Sequence, residues 1–446
     1  MTSLENLGYR QELRRALSVW DLVVYGMVFM VPIAPFGVFG FVFKDAKGMV
    51  PLAYLVGLVG MFFTAMSYAS MSRTFPVAGA VYSYVGRGLH EAAGFLAGWL
   101  ILLDYILVPA LLYIFSMVAL RPLFPGVPDL VWLLAFVGFN AVVNLVGIRV
   151  TARVNFWMLG LQIATLAIFV VAGLLALYRG QGAGSLTLRP VYDPAVFSLA
   201  TVVGATSIAV LSFLGFDGIS TLAEESVGGR ESVARATVAA LLLVGALFIV
   251  QTWIAADLAR GMRFSSPETA FYEIAERAGG TPLRLLTVGA NILATGIANA
   301  LAAQAAVSRI LYAMARDGKL PAALARVHAR YRTPYVSTLL VAGISVVVGL
   351  LFARRVDDLT RIVNFGALSA FLLLHVAVIN HFVIRGASRA WFRHLVAPLA
   401  GFAVIGYVLY EMDNTAKIMG AVWITVGIVY LAVLSRVLKK PAAIEL

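Results

Sequence analysis

Two aspartates stand inside apolar runs, Asp217 in "AVLSFLGFDGISTLAEES" and Asp104 in "GWLILLDYILVPAL". A charged side chain at the centre of a membrane helix costs about 2.5–3.5 kcal/mol on insertion scales, which makes each a functional candidate. A carboxyl group at that depth can meet a cationic group or carry a proton. For Asp217 the competing reading is a structural partner for freed backbone N–H groups. For Asp104, beside Tyr105 and ahead of Pro109, a place in a substrate cavity competes with an interhelical hydrogen bond. Glu224, Glu225 and Arg309 lie nearer the ends of their runs. With Arg230 and Arg235 close by, the two glutamates read as solvated ion pairs or a helix-end gate, and Glu225 joins Asp217 as a proton-coupling candidate. Nothing points to bond making. The histidines His90, His328, His375, His381 and His394 show no ligand spacing with carboxylates, and the chain has no cysteine. No metal, no cofactor and no catalytic residue are expected; the chemistry is binding and release.

The elements that must position these groups are interrupted helices. In "FMVPIAPFGVFGFVF", residues 29 to 43, Pro32 and Pro35 accompany Gly37 and Gly40 in a run without a charged side chain. Each proline removes a backbone hydrogen bond and clashes with the preceding turn, at about 3 kcal/mol or more. Non-helical backbone at membrane depth is tolerated only when buried in protein or lining a watery cavity. Taken alone, the stretch reads as a kinked helix or a broken one. A second interruption weighs toward the broken reading, because Ser212, Gly215, Asp217 and Gly218 fall in the middle of the sixth apolar run. Paired interruptions at matching places in two halves point to a secondary transporter with inverted repeats and a substrate at the midplane. Freed N–H groups there favour an anion and freed carbonyls a cation.

The composition agrees. Of 446 residues, 61% are hydrophobic and 13% charged, roughly half the charged share of a soluble protein. Mean hydropathy is +0.92. The fold class expected is an all-α polytopic membrane protein of about 12 spans: 19–43, 48–72, 92–120, 130–147, 154–178, 196–224, 233–256, 282–314, 334–353, 359–384, 394–411 and 417–437. Residues 1–18 form a polar segment, 19–384 a ten-helix core of two five-helix halves, 394–437 two peripheral spans and 438–446 a tail. The net charge of +12 fits basic cytoplasmic loops rather than nucleic acid. Arg10, Arg14, Arg15, Arg73, Arg87, Arg316, Lys319, Arg385, Lys439 and Lys440 are among the many basic residues on the side of the N-terminus. That asymmetry places both termini in the cytoplasm, although Arg260, Arg263, Arg354 and Arg355 fall on the outer side. Within 263–281, Ser265 or Ser266 is expected to cap a short amphipathic helix on the outer surface, with Pro267 in its first turn and Phe271, Ile274 and Ala275 on one face.

The strings "LSFLGFDGISTLAEES" (211–226), "SRILYAMARDGKLP" (308–321), "RTPYVSTLLV" (332–341), "FPVAGAVYSYV" (75–85) and "NFGALSAF" (364–371) resemble the amino acid–polyamine–organocation superfamily over almost the whole length. Within it the chain is most similar to the bacterial putrescine importers. The resemblance implies the LeuT-type fold, ten core helices in two inverted halves plus two peripheral helices, working by alternating access. It implies a substrate site from Pro32, Ile33, Ala34, Pro35, Phe36 and Gly37, from Ser212, Phe213, Gly215, Phe216 and Asp217, and from Asp104 and Tyr105. In many relatives the position of Asp217 carries an acid, linked in some to pH-dependent transport. The tenth-span "NFGALSAF" would line the opposite side of the route.

Three positions bear on substrate. "VPIAPFG" replaces the glycine-rich string that receives the substrate carboxylate in many amino acid permeases. Gly37 stands where the putrescine importers place an aspartate, which counts against putrescine itself and leaves Asp217 as the better single anchor. Gln162 stands where several proton-coupled relatives have a lysine, and the same glutamine is found in the putrescine importers. The function expected is a secondary active importer, by proton-driven symport, of a small amine, polyamine or amino acid across the cytoplasmic membrane. The alternatives are a neutral or cationic amino acid permease or exchanger and, from another class, a transporter-like ligand sensor. The expected partners are the solute, a proton and the lipid bilayer.

Overall fold

In the computed structural model, which describes residues 17–75, 80–146, 152–227, 229–316, 318–331 and 333–437, the chain is all helical. Among these residues the sole β feature is an isolated bridge between Leu17 and Ser226. Eleven helices are long and apolar enough to cross a membrane, or twelve if one bent pair is counted as a span. The bent pair is α1 (Val19–Met30) and α2 (Pro35–Asp45), which meet at 56°. A capping box starts α1: the Ser18 hydroxyl accepts from the Asp21 N–H at 3.2 Å, and the Asp21 carboxylate accepts from the Ser18 N–H at 2.9 Å. This satisfies two of the N–H groups that every helix start leaves open.

The helix stops where its sequence forbids continuation. Val31 takes φ +56° and ψ 95°, Pro32 lacks an N–H, and Pro35 occupies the first turn of α2, where a missing N–H costs nothing. The carbonyl exposed by the break finds a partner across the bundle. On α9 (Gly229–Leu258), the Gln251 side-chain amide donates to Pro32 O at 2.9 Å and to Leu247 O at 3.0 Å. Removing a partner from a buried carbonyl costs about 1–3 kcal/mol. Gln251→Leu is therefore expected to lower the thermal unfolding temperature of the detergent-purified protein, whereas the exposed Leu243→Gln on the same helix is expected to shift it little.

The second interruption has the same logic. Helix α8 (Leu199–Ala209) gives way to a 3-10 turn, Val210–Phe213, and after Leu214 and Gly215 to a second 3-10 segment, Phe216–Glu225. Leu214 is extended at ψ 142° and Gly215 takes φ +110°, a conformation open to glycine and little else. Around these two breaks lie α3 (Val50–Thr74), α5 (Glu91–Leu120), α6 (Asp129–Val146), α7 (Ala152–Tyr178) and α10 (Ala270–Asn291). The last of these runs through a π-helical stretch, Ile292–Asn299, into α11 (Ala300–Arg316). Beyond it are α12 (Tyr335–Phe352), α13 (Val356–Val378), α14 (Ala397–Glu411) and α15 (Asn414–Val437).

Two differences from the sequence reading stand out. The segment after α3 contains a further helix, α4 (Ala80–Gly88), where only a loop is expected. At nine residues it is too short for a hydropathy window, yet Val81, Tyr84 and Val85 are fully buried. The outer element begins at Ala270, with Thr269 rather than Ser265 or Ser266 at its N-cap. The cause is Glu273, whose carboxylate gathers the Ser265 N–H at 3.2 Å and the Thr269 hydroxyl at 2.7 Å, holding 265–269 as a turn outside the helix. Its apolar face, Phe271, Ile274 and Ala275, is fully buried. Gly279 and Gly280 then leave helical geometry, with Gly280 at φ +69°, and separate this element from the spanning part of α10.

Candidate functional site

A cavity of about 70 Å³ opens where the two interruptions face each other. The end of α1 and start of α2 supply Val31, Ala34 and Gly37, the second interruption supplies Ser212, Gly215 and Asp217, and α5 supplies Asp104, Tyr105 and Phe115. Seven of the residues singled out in the sequence thus share one wall: Ala34, Gly37, Asp104, Tyr105, Ser212, Gly215 and Asp217. No Lys, Arg or His stands among the lining residues.

Asp217 is 3% and Asp104 6% exposed, so both carboxyl groups are withdrawn from solvent. The Tyr105 hydroxyl donates to Asp217 Oδ2 at 3.1 Å, and backbone N–H groups of Gly215, Asp217 and Gly218 surround the same carboxylate. Asp104 Oδ1 has no hydrogen-bond partner among the described residues. Ser212 is held by the Tyr54 hydroxyl at 2.9 Å. The cavity therefore carries two acidic groups, one supported and one incomplete, in a setting where a buried charge demands a partner.

The first break offers little to an anion. Pro32 and Pro35 have no N–H, while the amides of Val31, Ala34, Phe36 and Gly37 already donate to Val28, Val31, Ile33 and Ala34 carbonyls at 2.7 to 3.3 Å. A Cβ added at Gly37 would lie 3.4 Å from the Phe115 ring. A side chain at position 37 would thus lie in contact with that ring.

The other singled-out residues are placed elsewhere. Pro32, Ile33, Pro35 and Phe36 are not part of the cavity wall. Phe36 stacks on Phe271 with centroids 4.0 Å apart, and Phe169 of α7 lies 4.7 Å from Phe271. These three rings seal α2 against the outer element. Gly40 makes that approach possible, since a Cβ there would come within 2.1 Å of Pro267 O. Phe213 packs with Tyr54 and Phe248, and Phe216 with Tyr68 and Phe371. Gln162 is buried, its amide unpartnered among the described residues, and does not line the cavity. The side chains of Glu224 and Glu225 lie outside the described residues. Arg309 is exposed and away from the cavity.

The string "NFGALSAF" sits on α13, which adds no lining residue. Instead Gly366 lets α13 press against α5, where a Cβ would meet Leu100 O at 2.7 Å and Asp104 N at 3.2 Å. Its effect on the site is to fix the backbone that carries Asp104. The wall that the sequence reading passed over is formed by Asn291, Thr295 and Asn299. They are uncharged and so carry little insertion penalty, but their spacing of four residues on one helical face was a signal available in "NILATGIANA".

Comparison with known proteins follows the same lines. The amino acid permease family model matches residues 21–434. The chain is 32% identical over 446 residues to the low-affinity putrescine importer PlaP of Escherichia coli K12, covering 97% of this chain and 96% of that protein. It is 26% identical to the branched-chain amino acid permease BcaP of Bacillus subtilis, covering 96% and 94%, and 24% identical to the methylthioribose transporter of the same organism, with the same coverage.

Proposed function

The chain belongs to the amino acid permease family, and on that premise we propose that it imports a small amine across the cytoplasmic membrane by proton-coupled symport. As a member of that family it is a multi-pass transporter and not an enzyme. The observation that carries the substrate class is the pairing of Asp104 and Asp217 on a buried cavity whose lining holds no basic side chain. One ammonium is matched by one carboxylate. The second carboxyl group then remains to carry the coupling proton, and Glu225 near the inner end of the same segment is the candidate for its exit.

The LeuT-type arrangement supports this reading as its scaffold. In it the spans up to α7 and those from α8 to α13 form two inverted halves, α14 and α15 are peripheral, and both termini face the cytoplasm. The broken helices α1–α2 and α8 with its 3-10 segments rock against the rest, and the Phe36–Phe169–Phe271 seal is the outer closure. An amino acid carrier is the second reading, favoured by the similarity to a branched-chain amino acid permease. Against it stands the first break, where two prolines lack an N–H and the amides of Val31, Ala34, Phe36 and Gly37 are already engaged, which leaves few donors for an α-carboxylate.

Matched competitors separate the two. Uptake of labelled butylamine into proteoliposomes is expected to be inhibited by putrescine and butylamine but not by ornithine or norvaline, which add an α-carboxylate to each. An inward proton gradient should drive accumulation and a protonophore should abolish it. Inhibition confined to the carboxylated compounds would reverse the assignment, and binding without counterflow would make the protein a sensor.

A further inference from the structure

We propose that Asn291 forms a second, neutral pole of the cavity and selects amines whose far end carries an uncharged group that both donates and accepts a hydrogen bond, a hydroxyl or an amide. The inference rests on the reading that the ammonium is held at the acidic end of the cavity, where Asp104 and Asp217 lie.

Asn291 is the last residue of α10, at the entry to the π-helical stretch Ile292–Asn299. It is fully buried, it lines the same cavity as the two aspartates, and neither Oδ1 nor Nδ2 has a hydrogen-bond partner among the described residues. Buried polar side chains are nearly always paired, and an exception asks for an explanation. Short π-helical turns inside α-helices occur frequently at functional sites. The neighbouring hydroxyls of Thr295 and Ser116 are already committed. The Thr295 hydroxyl donates to Asn291 O at 2.6 Å and meets Ser116 Oγ at 3.0 Å. Gly296 is packed so closely on Ser116 that an added Cβ would lie 2.3 Å from its hydroxyl. Backbone and neighbours hold Asn291 in place while its own amide is left open.

The chemistry of that amide sets the preference. Its oxygen needs a donor and its NH₂ needs an acceptor. An ammonium donates only, so a diamine answers Oδ1 and leaves Nδ2 facing a like-signed group. A methyl end answers neither. A hydroxyl or a carboxamide answers both, and a site built to hydrogen-bond a substrate group discriminates strongly against analogues that lack it.

The test uses the purified full-length protein and four amines of equal spacing: butylamine, 4-amino-1-butanol, putrescine and N-acetylputrescine, with affinities from calorimetry. In the wild type, 4-amino-1-butanol and N-acetylputrescine are expected to bind about tenfold or more tighter than butylamine. Asn291→Leu should bring the ratio of 4-amino-1-butanol to butylamine to about one. Asn291→Asp, close in volume, should reverse the order so that putrescine binds tightest, a gain that a merely damaged fold cannot produce. Equal wild-type affinity for 4-amino-1-butanol and butylamine, or an Asn291→Asp protein that keeps the wild-type order, overturns the proposal while leaving the ammonium site intact. Absence of butylamine binding overturns the ammonium reading itself and this inference with it.

Discussion

Asp217→Asn is expected to reduce amine binding and uptake by about two to four orders of magnitude while the protein remains folded. Removing one member of a buried charge pair leaves the other uncompensated, at about 3–5 kcal/mol, which is roughly 10²–10⁴ in affinity. The fold should survive because asparagine has nearly the same shape, and its carbonyl oxygen can accept from the Tyr105 hydroxyl as the carboxylate Oδ2 does at 3.1 Å. The contact that secures the backbone, from Ser220 Oγ to Asp217 O at 2.6 Å, does not involve the side chain. Tyr105→Phe provides the graded comparison. It removes one hydrogen bond and leaves the charge, so it should weaken binding by about ten- to a hundredfold, the size of a single bond to a charged group. Calorimetry with butylamine reads the loss, and an unaltered thermal unfolding temperature shows that the protein is intact. Wild-type uptake by the Asp217→Asn protein would mean that Asp217 serves only the backbone amides around it and would move the ammonium to Asp104.

The spans were legible because burial in lipid writes itself in long apolar runs. The expected 92–120 is α5 at 91–120, and the expected 48–72 is α3 at 50–74. Pro32 and Pro35 also announced where α1 would stop, since no side chain can replace a missing N–H. What the sequence hid is tertiary. Nothing in the string around Gln251 says that its amide reaches Pro32 O, 219 residues away. Nothing in "NFGALSAF" distinguishes a lining helix from one that presses on α5 through Gly366. Asp104 and Asp217 were visible because charge in an apolar run is conspicuous, whereas Asn291 was not, because an amide costs so much less to insert. The short helix α4 was lost for a different reason: nine residues with three buried apolar side chains satisfy no rule for a span.

Gly215→Ala is expected to disable transport and lower the unfolding temperature, because this residue joins the two interruptions. Its φ of +110° disfavours any Cβ, and a left-handed conformation costs an L-residue about 1–2 kcal/mol. The added methyl would also lie 2.7 Å from Phe29 Cδ1 and 3.1 Å from Phe29 O. Overpacking of this kind adds about 1–3 kcal/mol. Phe29 is in the last turn of α1 and lines the cavity, and Gly218 closes on the same ring, with a Cβ there 2.7 Å from Cε1. The methyl therefore cannot be absorbed by a side-chain rotation alone; it drives the Phe29 ring toward the cavity or separates the end of α1 from the second break. Either movement displaces the amides of Gly215, Asp217 and Gly218 that surround the Asp217 carboxylate. Gly138→Ala in α6 is the control, since a Cβ there meets nothing within 4 Å and alanine favours a helix by about 0.8–1 kcal/mol. Parallel thermal unfolding and butylamine uptake should leave Gly138→Ala at or above wild type and Gly215→Ala well below it in both. A Gly215→Ala protein that matched the control would show that the two breaks move independently, and the coupling of site to scaffold would then have to run through α5.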